Sequence, residues 1–460
     1  MLKKFIGDRA FYRRALLVAI PILTQNAITQ FVSLLDNIMV GQVGTAQMSG
    51  VSIVNSLIFV FNMCVFGATS GAGIFTAQFF GSKDHEGVRH TFRFKLLICT
   101  VLAALGIAIF AFGGELLIKL YLQGEGDAAT IDAALQYGMG YLRVMLLGLL
   151  PFALTNAYSG TLRETGETVV PMIAGICAVF VNLGLNYVLI FGKFGAPALG
   201  VNGAAIATVV SRYAELAVVV LWTHLHPAKN PFIRGAYRSM RIPGKLFRSI
   251  CVKGLPLLLN EFLWATGMAF LNQCYSTRGL DVVAAFNIAT TLCNLASVAF
   301  MAMGNAVGII MGQMLGSGAE EAEVRDANRK LIAMAVGSCA IFGTLMAAVS
   351  GIFPEIYNTT DSVKSVAAAL ICVTAIIMPF NAYTTSAYFT LRSGGRTAVT
   401  FIFDSGFVWC IIVPFAFILS RFTALPIIPL YALCQGTDLL KCIVGYWMIK
   451  KGSWIQNLTA

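Results

Sequence analysis

Three carboxylates, Asp36, Glu261 and Asp404, stand inside long apolar runs with no lysine or arginine close by in the sequence. A carboxylate drawn out of bulk water binds a proton more readily, and its oxygens equally suit a metal cation or an organic ammonium group. Protonation cancels the charge and changes which arrangement of the surrounding helices is favoured. The structural alternative at each position is a buried carboxyl hydrogen-bonded to Ser, Thr or Asn. Other charged groups in apolar runs stand beside a partner. Arg212 with Glu215, and Asp438 with Lys441, are three residues apart and are expected to pair along their own helices. Arg143 has three outlets: snorkelling to an interface, pairing across helices, or contacting a bound molecule.

The elements that must position these groups are membrane helices. Of 460 residues, 58% are hydrophobic and 12% charged, with mean hydropathy +0.78, too apolar a balance to coat a soluble globule. Twelve apolar stretches span 15–40, 50–80, 94–114, 134–158, 168–191, 201–223, 250–276, 283–315, 331–353, 364–390, 398–420 and 427–449. Most reach the ~20 residues a helix needs to cross hydrocarbon. The expectation is an all-α polytopic membrane protein, with the lipid bilayer as its first partner. An ionisable residue at that depth costs several kcal/mol unless it is paired or hydrated, so each is a candidate functional group.

The net charge of +11 does not point to nucleic acid, because the basic residues fall in alternate short loops, as membrane orientation requires. Lys3, Lys4, Arg9, Arg13 and Arg14 precede the first stretch. Lys229, Arg234, Arg238, Arg241, Lys245, Arg248 and Lys253 fill the middle of the chain with no acid from His224 to Lys253. Lys83, Arg89 and Arg93, Arg325, Arg329 and Lys330, and Lys450-Lys451 continue the pattern, while Glu125, Asp127 and Asp132 lie on the opposite side. Both termini are therefore expected in the cytoplasm, and the basic middle also suits anionic lipid. The first stretch is longer than a signal-peptide core and lacks a small-residue cleavage pattern, so it is expected to stay as helix one.

The chain is duplicated. Gly73-Ile74, Gln78, Gly81-Ser82, Val88-Arg89 and Arg93 return as Gly308-Ile309, Gln313, Gly316-Ser317, Val324-Arg325 and Arg329. Pro21 pairs with Pro256 and Gly44 with Gly279 at the same offset of 235 (256 − 21, 279 − 44), and Leu162-Arg163, Gly166, Thr168 and Val170 match Leu391-Arg392, Gly395, Thr397 and Val399 at 229 (391 − 162). Six spans per half make the repeat parallel, giving lobes 1–223 and 250–460 joined by a basic cytoplasmic linker, 224–249. Gly304, Gly308, Gly312 and Gly316, matched by Thr69, Gly73, Ala77 and Gly81, form a small-residue row where helices approach closely. Pro151-Phe152 and Pro379-Phe380 recur inside spans four and ten, where proline removes a helical hydrogen bond. The repeat sets Glu261 opposite Asn26 (261 − 235), so the halves differ chemically there.

No catalytic constellation accompanies this scaffold. The 11 cysteines are scattered without a CxxC or Cys/His cluster, the four histidines, His85, His90, His224 and His226, fall in loops, and no GxxxxGK[ST] phosphate loop is present. The expectation is neither an enzyme nor an ATP-driven pump, with no cofactor.

Asp36-Asn37-Ile38-Met39-Val40-Gly41, Ala77-Gln78-Phe79-Phe80-Gly81, Leu162-Arg163-Glu164-Thr165-Gly166 and Leu391-Arg392-Ser393-Gly394-Gly395, in this order along twelve repeated spans, resemble the multidrug and toxic compound extrusion family. The resemblance covers essentially the whole chain. It implies two six-helix lobes forming a V, with alternating access and export of organic cations in exchange for protons or sodium. Asp36 matches the family's acid at the end of helix one. One branch has a second acid four residues after an asparagine in helix five, where this chain has Asn182 and Asn186. Another branch has an acid in helix ten, where Asn381 stands here. Glu261 resembles the helix-seven acid of that branch, about a turn earlier. The expected ion-coupling set, sodium included, is Asp36 from the resemblance, with Glu261 and Asp404 added as the two second-half carboxylates that have no basic residue nearby in the sequence. The implied substrate cavity is lined by Asn26, Asn182, Asn186, Trp264 and Asn381.

The leading functional expectation is a monomeric secondary-active exporter of amphipathic organic cations in a bacterial cell membrane. The alternative is a flippase for lipid-linked saccharide precursors, which would need several inward Arg or Lys residues to meet a pyrophosphate. A non-transporting receptor or scaffold would need no ionisable residues at membrane depth.

Overall fold

A bilayer leaves backbone N–H and C=O groups no water to bond, so each crossing segment must satisfy them internally, as a helix does. The computed structural model describes residues 2–41, 43, 45–122, 128–357 and 359–459. Gly44, Glu125 and Asp127 lie outside the described residues, as does the side chain of Asn37. Twelve helices long and apolar enough to cross a membrane run in order, and no β-strand occurs among the described residues. The first half has α1 (Arg9–Gly41), α2 (Thr45–Gly81), α3 (His85–Tyr121), α4 (Ala128–Glu164), α5 (Val169–Phe191) and α6 (Gly200–Leu225). The second has α7 (Gly244–Ser276), α8 (Leu280–Gly316), α9 (Glu321–Val349), α10 (Asp361–Ser393), α11 (Thr397–Phe422) and α12 (Ile427–Lys451). The chain is an all-α multi-pass membrane protein. Phe112 and Phe180, 93% and 71% exposed on α3 and α5, are sited to meet lipid, whose tails accept such side chains as readily as a protein core does.

Several helices outrun their apolar stretches. α3 extends from His85 to Tyr121, against 94–114 expected, and this moves His85 and His90 out of a loop. His224 likewise lies in the last turn of α6 and only His226 follows it. The polar ends stay helical because their side chains bond neighbouring carbonyls. Arg93 donates through Nε to Ala236 O at 2.8 Å, through Nη2 to Gly235 O at 2.8 Å and through Nη1 to Arg241 O at 3.2 Å. Arg89 Nε donates to Phe232 O at 3.3 Å. The chain after α6 is thus tied back onto α3, with Phe232 buried edge-on against Phe92.

Two compact units emerge: Thr24–Thr76 with His85–Cys251, and Met1–Leu23 with Ala77–Asp84 and Val252–Ala460. In the first, α3 packs on α4, and α6 on both α4 and α5. In the second, α10 is central, packing on α8, α9 and α12. The end of α2 belongs to this second unit, and the repeat explains how it is seated. Gly81 lies directly against the Gln313 carbonyl and Gly316 against the Gln78 carbonyl, so positions 78 and 313, and 81 and 316, exchange one contact both ways. A Cβ at either glycine would overlap the facing carbonyl. Further along α8, Gly304 and Gly308 receive the Phe389 ring of α10. The expected small-residue row is therefore a packing surface.

The repeated Pro151 and Pro379 sit inside unbroken helices. Pro151 has no N–H for the Leu147 carbonyl one turn back, and the Tyr213 hydroxyl of α6 donates to that oxygen instead, at 3.2 Å. At Pro379 the orphaned carbonyl is that of Ala375, and Gly343 of α9 packs against it.

Candidate functional site

In the first unit, Asn182 and Asn186 are one turn apart on α5 and present both amides to Asp36 near the end of α1. Asn186 Nδ2 donates to Asp36 Oδ1 at 2.6 Å and to Asn182 Oδ1 at 3.1 Å. Asn182 also meets the Thr208 hydroxyl of α6 at 3.3 Å. With its amide turned over, Asn182 donates to both Asp36 oxygens, at 2.9 and 3.1 Å, and still faces Thr208. Beside them the buried Tyr141 hydroxyl donates to Asn55 Oδ1 at 3.3 Å and faces Asp36 and Thr208. Asn186 is 1% exposed, and its Oδ1 is buried with no hydrogen-bond partner. The charged neighbour of Asp36 is Arg212, which bridges to Glu215 at 3.2 Å and lies over the Phe152 ring. Asp36 is thus a half-buried carboxylate held by neutral amides beside an unused acceptor oxygen, a donor set suited to a proton or a small cation.

The second unit is built differently. Asp404 lies in a widened, π-helical turn of α11, Ile402–Gly406, in which the Phe407 N–H reaches back five residues to Ile402 O. Such turns arise where a side chain intrudes on the helical ladder. Here it is Asn260 of α7, whose Oδ1 accepts from the Ser405 N–H at 3.2 Å and the Ser405 hydroxyl at 2.8 Å. Asn260 Nδ2 donates to Asp404 Oδ2 at 3.0 Å, and Lys441 Nζ of α12 to Asp404 Oδ1 at 2.6 Å. Two expectations change. Asp404 has a basic partner, and Lys441 bridges to it, not along its own helix to Asp438. The reason is the approach of α12 to α11, where Gly445, one turn beyond Lys441, meets the Phe403 ring. Glu261, half-buried next to Asn260, faces Arg392, Asp404 and Tyr388.

The repeat relates these networks. Asn260 corresponds to Gln25 (260 − 235), one residue before Asn26. Gln25 Oε1 accepts from Arg163 Nη2 at 2.9 Å, and Arg163 is the repeat partner of Arg392. Of the remaining predicted residues, Asn26 is half-buried on α1, Trp264 is 37% exposed on α7, and Asn381 is half-buried on α10 with its backbone carbonyl accepting from Thr384 Oγ1 at 3.1 Å. The structure brings Asp36, Asn182 and Asn186 into one cluster, and Glu261 and Asp404 into another. Sequence reasoning missed Tyr141, Asn55 and Thr208, and also Lys95. Lys95 is fully buried on α3, bonded to Thr161 Oγ1 at 3.2 Å and ion-paired with Glu164 at the end of α4. A lysine inside a span with an acid at the end of the next span was the available signal.

Twelve spans in two repeated halves, with carboxylates and amides gathered at membrane depth, define a duplicated membrane transporter. The MatE family model matches residues 21–188 and 256–418. The chain belongs to that family, and the resemblance read from its motifs is borne out. It is 26% identical to the probable multidrug resistance protein YoeA of Bacillus subtilis, over 95% of this chain and 93% of that one. It is 23% identical to the probable multidrug resistance protein NorM of Thermotoga maritima, over 88% and 85%. Among solved structures, an outward-facing multidrug resistance MATE family transporter of the MOP superfamily superposes with TM-score 0.87 at 19% identity, covering 98% of both chains. A MOP superfamily transporter from Pyrococcus furiosus superposes with TM-score 0.85 at 19% identity and the same coverage. The family's activity is multidrug transport, of small molecules, and the chain is not an enzyme.

Proposed function

We propose that the chain exports amphipathic organic cations from a bacterial cell in exchange for protons or sodium, by alternating access. The observation that carries this reading is the Asp36 cluster, an intramembrane carboxylate held by the amides of Asn182 and Asn186 with the buried Asn186 Oδ1 unused. Binding a proton or sodium there neutralises the site, and the organic cation competes for the same negative charge. Glu261 is the second exchanging group, and Asn26, Trp264 and Asn381 belong to the substrate path. Both termini face the cytoplasm, in keeping with the basic short loops, and the exporter acts as a monomer.

The test is efflux of ethidium from proteoliposomes under separately imposed proton and sodium gradients. Export driven by one gradient supports the reading. Export under neither points to the flippase for lipid-linked saccharide precursors. Against that alternative, the buried bases are already engaged, Lys95 with Glu164, Lys441 with Asp404 and Arg93 with backbone carbonyls, and Arg143 is exposed.

A further inference from the structure

Asp404 is an acid that only the second half carries. Its repeat position in the first half is Gly175 (404 − 229), and there the Gln25 side chain fills the space a Cβ would enter, as Asn260 stands against Asp404. The glycine half has no charge to balance at that place. The second half has both the acid and a lysine for it. Each Asp404 oxygen is taken, Oδ1 by Lys441 at 2.6 Å and Oδ2 by Asn260 at 3.0 Å. Asn260 is fixed by the Ser405 N–H and hydroxyl, and Lys441, 9% exposed, lies over the Phe403 ring at 5.3 Å. Asp36 presents the opposite arrangement, amide donors and an open acceptor.

We propose that Lys441 is a specificity-determining residue: its ammonium occupies Asp404 as a tethered counter-cation, closing the second-half acid to exchangeable ions and organic cations and leaving exchange to the other carboxylates. The inference rests on the reading of this chain as a cation exporter. It follows from competition, since a cation attached to α12 is present at high effective concentration and a diffusing one must displace it. It also accounts for the paired charges at a depth where a lone carboxylate is costly.

Full-length protein in detergent, titrated with ethidium, tests this with Lys441→Met, Lys441→Arg, Asp404→Asn and the double variant Asp404→Asn/Lys441→Met. Lys441→Met is expected to bind ethidium about tenfold more tightly by uncovering the carboxylate, while Lys441→Arg and the double variant bind like wild type. Wild-type affinity in folded Lys441→Met, or a gain that persists in the double variant, overturns the proposal. If Lys441→Met does not fold, Asp404→Asn decides: export at the wild-type rate supports a closed site, and loss of export in a protein that melts like wild type overturns it. Failure of wild type to export ethidium under either gradient counts against the exporter reading alone, because the binding comparison stands apart from transport.

Discussion

Asn186 donates to Asp36 Oδ1 at 2.6 Å, joining α5 to the end of α1 in the first unit. At this place the family resemblance led one to look for a second acid, and the chain has an amide. An amide donor holds the carboxylate without adding a second negative charge, and the Asn186 oxygen is buried with no hydrogen-bond partner. Asn186→Ala is expected to weaken ion-driven ethidium export about tenfold, whereas Asn186→Asp, which restores an acceptor and adds charge, retains more of it. Initial export rates in proteoliposomes check the order.

The reciprocal contact of Gly81 with the Gln313 carbonyl and Gly316 with the Gln78 carbonyl leaves no room for a methyl. Gly81→Ala and Gly316→Ala should each destabilise the protein by about 1–3 kcal/mol, the usual cost of overpacking, and the two should be non-additive because they share one contact. Thermal melting in detergent measures both, with Gly113→Ala, which meets nothing within 4 Å, as the harmless control.

The Lys95–Glu164 pair of α3 and α4, with Gly73 of α2 packed against the Glu164 carboxylate, is buried at the lysine. Removing one partner leaves the other charge uncompensated, so Lys95→Met is expected to cost about 3–5 kcal/mol, and Lys95→Met/Glu164→Gln much less. A double variant melting no higher than the single one would contradict a paired charge.

The tail after α12 repeats what the linker after α6 does. Trp454 is fully buried, Arg325 Nη1 donates to Lys450 O at 3.0 Å and Arg396 Nε to Ser453 O at 2.9 Å. Gln78 donates to Ser393 O at 2.9 Å and Gln456 O at 3.2 Å while accepting from the Leu458 N–H at 2.7 Å. Gly394 and Gly395 are the floor on which Trp454 and Leu458 rest. Removal of residues 453–460 should therefore lower the melting temperature by several degrees, an effect of about 2 kcal/mol, and Gln78→Ala should reproduce part of it.

The scaffold was legible because apolar length and a fixed repeat offset are properties of the chain itself. Twelve spans, the duplicated Gly-Gln stretch and the pairing of Arg212 with Glu215 could all be read along one helix or between equivalent positions. Asp36, Asn182 and Asn186 came together through family resemblance and their one-turn spacing. Contacts between helices far apart in sequence were hidden. Lys441 looked committed to Asp438 because three residues separate them, yet α12 lies on α11 and delivers it to Asp404, 37 residues away. Asn260, one residue from the expected Glu261, was overlooked because a neutral amide in an apolar run raises no alarm, although it shapes the widened turn of α11. His85 and His90 were read as loop residues because polarity ends an apolar stretch sooner than it ends a helix.

Glu261, beside Asn260 and facing Arg392 and Tyr388, is proposed as the second exchanging group. Glu261→Gln should slow export without abolishing it, by about tenfold at saturating gradient. Unchanged export would remove it from the exchange.

The most direct measurement is ethidium export from proteoliposomes by wild type and Asp36→Asn, under a proton gradient and a sodium gradient imposed separately. Wild type is expected to be driven by one of them, and Asp36→Asn, folded and still able to bind ethidium, to lose that drive. Full gradient-driven export by Asp36→Asn would contradict that expectation.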